Sequence, residues 1–254
     1  MFSDVVDLRD FYESRLGQLA YHVLRREVRQ IWPDLTGQRV LGLGYAPPVL
    51  RQYRQEAERV LAFMPAQQGV LRWPYDGRNA TALVDEGALP LADFSMDRVI
   101  LMHALENTEQ LRTMLDEAWR VLLGDGRLLV VVPNRRGVWA RLERTPFGHG
   151  RPYSAGQLSR LLRNQMFLPM HTSHSLFFPP SRSRTLLAAA PAWERVGQRW
   201  FTRFGGLVVI EASKQQYATS KPVQHRRLRS RVVVPFPTGV RPPAGVRREG
   251  GCGT

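Results

Sequence analysis

Apolar positions along this chain fall into short unbroken runs separated by stretches of helical spacing. From residue 7 to 31, Leu8, Phe11, Leu16, Leu19, Val23, Leu24, Val28 and Ile31 recur at a period close to 3.6, which predicts one N-terminal helix capped by Asp7 and stopped by Trp32-Pro33. Arg39 to Gly44 reads as a strand entering a turn, and Pro48 to Glu58 as a helix opening on prolines. Val60 to Phe63, Ala80 to Val84, Asp97 to Met102 and Leu128 to Val132 read as further strands. Pro65, Gly69, Pro74 and Gly77 argue against a crossover helix between the second and third strands.

The second half continues the alternation. Leu111, Leu115, Ala118, Trp119 and Leu122 predict a helix over 108–122, ended by Gly124-Asp125-Gly126 as a tight turn. After a long loop over 133–154, helices are expected at 155–166 and 192–204, and strands at 176–178 and 206–212. Strands alternating with helices imply an α/β, doubly wound, mostly parallel sheet whose ligand crevice lies at the strands' carboxyl ends. One domain over residues 1–218 is expected, with an N-terminal helical extension (1–36), a first half (37–133) and a second half (134–218). Residues 219–254, rich in Pro, Gly and Arg without periodicity, are expected to be a disordered basic tail.

Charge sharpens this division. The chain is +14 overall, and residues 221–254 hold eight basic side chains against Glu249, so half of the net charge sits in the tail. That predicts salt-sensitive contact with polyanions through the tail. Of 36 basic residues only Lys214 and Lys221 are lysines. Arginine suits phosphate contacts, but its use throughout also fits a compositional bias. A lone Cys252 excludes an intramolecular disulfide and a thiol-based zinc site, in keeping with a cytoplasmic protein. The acidic N-terminus lacks the pattern of a secretory signal, and no apolar run is long enough for membrane insertion.

Three segments could carry chemistry. Val40-Leu41-Gly42-Leu43-Gly44-Tyr45-Ala46 ends the first strand with small residues that let a ligand approach the backbone. Val84-Asp85-Glu86-Gly87 ends the third, where a carboxylate either accepts a bond from an exocyclic amine or serves as a solvated loop acid. Met96 to Glu106 delivers His103 and Glu106 to the same edge, His103 being either a proton acceptor or a packed strand-end residue.

With Leu89-Pro90, Ser95-Met96-Asp97-Arg98-Val99, Ala118-Trp119-Arg120-Val121-Leu122 and Gly124-Asp125-Gly126 in order, residues 38–133 resemble the class I S-adenosylmethionine-dependent methyltransferases, especially the type 11 branch. The resemblance implies a Rossmann-like, seven-stranded sheet with a last antiparallel strand and S-adenosylmethionine as cofactor. It sets Gly42, Gly44 and Tyr45 against the cofactor's amino-acid portion, Asp85 at the adenine amine, Glu86 nearby, and His103 by the methyl-transfer face. Several motif positions are worn. Gly42 stands where the family has an acid, Ala46 and Pro48 where it has glycines, and Met64 where an acid binds the ribose diol; Gln67 or Gln68 is the candidate replacement. Losing that bidentate bond costs on the order of 1–3 kcal/mol.

The loop Thr145 to Ser154, following Asn134-Arg135-Arg136, falls where this fold covers its substrate. Arg135, Arg136, His149, Arg151 and Tyr153 could hold an anionic acceptor, or merely shape a soluble connection. The function expected is an S-adenosylmethionine-dependent methyltransferase acting on a small or anionic acceptor. The alternative is a catalytically silent methyltransferase fold serving as a binding or scaffold module. A nucleic-acid methyltransferase is disfavoured, because no Asn/Asp-Pro-Pro-Tyr tetrapeptide follows strand four and no catalytic cysteine is present.

Overall fold

A computed structural model describes residues 4–181 and 183–215. The basic segment from residue 219, with the tail and polyanion expectations attached to it, lies outside the described residues.

Seven strands form one sheet: β1 (Arg39–Gly44), β2 (Arg59–Pro65), β3 (Thr81–Val84), β4 (Met96–Met102), β5 (Leu122–Pro133), β6 (Phe167–Ser175) and β7 (Leu207–Lys214). Their order is β3-β2-β1-β4-β5-β7-β6. The first five run parallel, and β7 enters antiparallel between β5 and β6. Strand order reverses between β1 and β4, the switch point at which open α/β sheets place their ligands. β1 reads as a nearly continuous apolar run because it is covered on both faces. Val40, Ile100, Leu129 and Val209 face α1 (Val5–Glu13), α2 (Arg15–Ile31) and α3 (Pro47–Leu50). Leu41, Leu101, Leu128 and Ile210 face α4 (Leu111–Val121) and α5 (Ala155–Asn164). Two further helices, α6 (Arg184–Ala188) and α7 (Ala190–Trp200), follow β6.

Several sequence expectations need correction. The N-terminal helix is two helices, and its cap is Asp4 rather than Asp7. Ser14 breaks it in extended geometry (ψ 159°), donating to Phe11 O at 2.6 Å and accepting from Gly17 N at 3.1 Å. The helix after β1 ends at Leu50 and continues only as a 3-10 turn, Arg51–Tyr53. Gly124 and Gly126 lie inside β5, where a register shift against β4 absorbs the extra residues. The strand expected at 176–178 lies just before it. Phe167–Ser175 forms an edge strand that Leu176, at φ 60°, terminates.

Lys214 and Glu194 are charged groups drawn into this framework. Lys214 donates to Leu122 O at 2.7 Å with its ammonium 3.9 Å from the Trp119 ring centroid and 4.0 Å from that of Phe94. Glu194 of α7 accepts from Phe177 N at 2.6 Å through Oε1, while its buried Oε2 has no partner. Burial first, with the nearby Glu27 charge adding, pushes the Glu194 carboxyl up to about 7.

These features generate two predictions. Ser14→Ala should cost about 1 kcal/mol, lowering the melting temperature by roughly 2–4 °C. For Glu194, the folded state holds a proton that the unfolded state has released once pH passes the ordinary value of 4.5. Its contribution to stability should therefore fall as pH rises from about 4.5 to 7, by up to about 3 kcal/mol. Glu194→Gln should flatten that slope and exceed the parent protein's stability at pH 8, as read by urea unfolding across pH.

Candidate functional site

The carboxyl ends of β1, β2, β3 and β4 bring the expected cofactor residues to one edge. Gly44 closes β1 at φ 87°, and a Cβ there would lie 2.3 Å from Met102 O, so the turn requires glycine. Gly42 sits one layer back, inside β1 opposite Ala62 and Ile100. A Cβ at that position would meet Ala46 Cβ at 2.5 Å and Leu50 Cδ1 at 2.6 Å. The space for the family's acid is filled by α3. Met64 is fully buried at the end of β2, among apolar neighbours.

Asp85 is exposed and closes its own turn, with Oδ1 accepting from Gly87 N at 2.8 Å. Glu86 beside it is buried and accepts from the Thr108 hydroxyl. Together with Gln67, Gln68, His103 and Asn107, it lines a cavity of about 40 Å³.

His103 is 1% exposed and held at φ 53° directly after β4. Its Nε2 is 2.8 Å from the hydroxyl of Tyr12, a residue of α1. Its Nδ1 stands 3.4 Å from Glu106 Oε1, without hydrogen-bond geometry, and Glu106 is equally buried. The Tyr12 ring stacks on Tyr45 at 5.8 Å, and the His103 ring lies 4.9 Å from Phe147. Burial first, then Tyr45 and the Glu106 charge, hold the Tyr12 phenol well above its ordinary pKa. Gln68 ties the same layer together, donating to His103 O at 3.0 Å and accepting from Val5 N at 2.8 Å through its own carbonyl.

The loop after β5 is more ordered than an open connection. Trp139 and Phe147 are buried on two 3-10 turns, and Trp139 Nε1 donates to Phe178 O at 2.8 Å. Backbone bonds join Arg135 N to Tyr153 O at 3.0 Å and Arg151 N to Glu106 O at 2.9 Å, drawing both arms of the loop towards the β4 edge. Arg135, Arg136 and Arg151 are exposed, and none of them forms an ion pair among the described residues. Tyr153 is half-buried, and His149 Nε2 is occupied by Glu143 O at 2.7 Å. Backbone bonds thus tie Arg135 to Tyr153 and Arg151 to Glu106 beyond the end of β4. Sequence reasoning named Gln68 only as a stand-in for the ribose-binding acid, and it missed Tyr12 and Phe147. Only the aromatic pair Phe11-Tyr12 ahead of the first strand could have signalled them.

Whether a nucleoside cofactor fits is a question of space as well as chemistry. The 40 Å³ cavity is lined by hydrogen-bonding groups of Glu86, Gln67 and Asn107. A separate cavity of about 220 Å³ lies by Tyr45, Pro48, Met64 and Trp73, with Tyr12 in its wall. Tyr12 lines one cavity and His103 the other, so their hydrogen bond separates the two. Pockets for ligands of this size span roughly 300–1,000 Å³. Neither cavity reaches that range, and the Tyr12–His103 bond lies between their linings. Among the described residues no cluster of His, Cys, Asp and Glu could hold a metal ion.

Comparison with known proteins places this architecture. Residues 28–130 match the family model described as a methyltransferase domain. A demethylmenaquinone methyltransferase of Thermus thermophilus is 28% identical over 159 residues, covering 61% of this chain and 63% of that protein's length. In three dimensions, a Thermotoga maritima S-adenosylmethionine-dependent methyltransferase, described as a possible histamine N-methyltransferase, aligns with TM-score 0.56 at 18% identity, over 84% of this chain and 98% of its own. A Burkholderia thailandensis 1,6-didemethyltoxoflavin-N1-methyltransferase, solved with S-adenosylhomocysteine and 1,6-didemethyltoxoflavin, aligns with TM-score 0.51 at 14% identity over 80% of each chain. Sheet order, switch-point edge and likeness to solved structures together identify the Rossmann-like fold of the class I S-adenosylmethionine-dependent methyltransferases, within which residues 28–130 match the methyltransferase-domain model.

Proposed function

We propose that this chain is an S-adenosylmethionine-dependent methyltransferase of a small or anionic acceptor, and that it admits its cofactor when α1 withdraws Tyr12 from the strand edge. The observation that carries this reading is the meeting of the Gly44 turn, Glu86 and His103 at the switch-point edge, in the order the fold requires. The cofactor supplies an already activated methyl group, so the protein's task is chiefly alignment. Gly44 and Tyr45 offer backbone to the amino-acid portion, beside the apolar wall of Met64. Glu86 and Gln67 offer acceptors to the nucleoside, with Asp85 at the outer rim by the adenine amine. Once Tyr12 leaves, His103 Nε2 is free to take a proton from the acceptor, and Glu106 lies beside Nδ1 to orient the ring. Arg135, Arg136, Arg151, His149 and Tyr153 form the acceptor side. A cytoplasmic location and polyanion contact through residues 219–254 belong to the same reading.

Calorimetric titration with S-adenosylhomocysteine tests it. The parent protein should bind weakly, because part of the binding energy goes into displacing a buried hydrogen bond and a stacked ring. Tyr12→Ala should bind about ten- to a hundredfold more tightly, and Tyr12→Phe should fall between. No binding by any of the three would leave the silent scaffold as the function.

Two substitutions should then separate binding from turnover. Asp85→Ala should weaken product affinity about tenfold and raise the cofactor KM with little change in kcat. Unchanged affinity would leave Asp85 as a turn residue only. His103→Ala should leave product affinity near that of the parent and lower kcat by roughly a hundredfold.

A further inference from the structure

Helix α7 is packed the wrong way round for an ordinary surface helix. Its protein-facing side carries small or polar residues, Ala190, Glu194 and Gly197. A Cβ on Gly197 would lie 2.2 Å from the Phe177 ring, so this side sits hard against the fold. The large apolar residues face out. Trp193, Val196 and Trp200 are 44%, 47% and 73% exposed, and Phe201 and Phe204 in the following turn are 57% and 61% exposed. On α7 itself Trp193, Val196 and Trp200 share one stripe, and Phe201 and Phe204 follow in the next turn. Arg195 and Arg199 on the helix and Arg203 in the turn are all exposed.

Isolated exposed apolar residues need no explanation, but a run of five within twelve positions, including two tryptophans, does. Their arrangement fits an interfacial anchor, in which aromatic rings enter the headgroup boundary while flanking arginines meet anionic lipids. Charge selects among occupants. A second copy of this face would set these arginines against each other, and the basic residues 221–254 carry the same sign. An anionic surface complements them. No helix among the described residues is long and apolar enough to cross a membrane, so the contact is peripheral.

We propose that α7 and the turn after it, through Trp193, Trp200, Phe201 and Phe204 with Arg195, Arg199 and Arg203, form a peripheral docking surface for anionic lipid bilayers. The inference is independent of the methyl-transfer reading.

Vesicle flotation and tryptophan fluorescence test it on the full chain. With vesicles of equal phosphatidylcholine and phosphatidylglycerol, the protein should float and its emission should shift to the blue, whereas phosphatidylcholine alone should give little of either. Trp200→Ala combined with Phe204→Ala removes only exposed side chains. It should keep the parent melting temperature while lowering the lipid partition coefficient on the order of tenfold or more. Replacing Arg195, Arg199 and Arg203 by Gln should abolish the preference for the anionic lipid. Undiminished flotation of the double variant would make the basic residues 221–254 the anchor and overturn the proposal. Failure of the parent to float, with a dimer that the double variant dissociates, would overturn it in favour of a self-association face.

Discussion

The buried hydrogen bond between Tyr12 and His103 is the contact on which the organisation of this molecule turns. A parallel sheet leaves its carboxyl edge with exposed turns and strand-end polar groups, and class I folds use that edge as a crevice. Here the chain covers it with its own aromatic residues. Tyr12 pairs with His103 Nε2, stacks on Tyr45 and lies edge-on to Phe11, which in turn meets Phe147 from the loop after β5. One interaction therefore links the N-terminal helix, the first strand's turn, the fourth strand's end and the loop expected to hold the acceptor. Any ligand reaching the edge must replace bonds that the protein already makes to itself.

The break at Ser14 makes this cover an element of its own. A continuous helix over 7–31 would have tied Tyr12 rigidly to Leu24 and Val28, which are packed in the core. With Ser14 extended, α1 is a nine-residue element anchored to the strand edge by Val5 N on Gln68 O and by the Tyr12 hydroxyl. Isolated helices of that length are marginal, so α1 persists through its packing rather than its own propensity. Val5, Leu8, Phe11 and Tyr12 supply that packing, and Gln18 Nε2 of α2 adds a bond to Tyr12 O at 2.5 Å.

Much of the fold was legible in the sequence because apolar runs and helical spacing report burial. β1, β3 and β4 fall where the pattern put them, and Gly44 adopts the positive φ that its turn needs. The failures have physical causes. β6 escaped because an edge strand is half solvated, so Leu168 and Met170 are exposed, His171 and Thr172 are polar, and Pro169 stands at a shift in register. Gly124-Asp125-Gly126 looks like a turn and is instead a register irregularity inside β5. Of the site, the strand-end residues were legible because they sit at fixed places in the fold. Tyr12 was not, because its partner lies 91 positions away and no local pattern encodes that contact. The outward aromatic face of α7 was hidden for the opposite reason. Periodicity detects a stripe but not which side of the helix the protein takes.

The worn motif positions share one cause when seen in three dimensions. The four residues of α3, Pro47 to Leu50, are all buried, and they press Ala46 and Leu50 onto Gly42. Glycine at 42 is thus the counterpart of a short proline-led helix seated directly on β1, rather than an isolated loss. Restoring an acid there would push a carboxylate into Leu50 without a partner, which costs more than a missing ligand bond. Met64 extends the same apolar surface to β2. Of the polar groups that remain, Gln67 comes from the loop after β2, and Glu86, Asn107 and Thr108 follow β3 and β4. Close to the strand ends the β1 turn and Met64 are therefore apolar, and polar side chains enter from the loop after β2, from the ends of β3 and β4, and from the outer rim at Arg9, Glu13, Arg51 and Arg72.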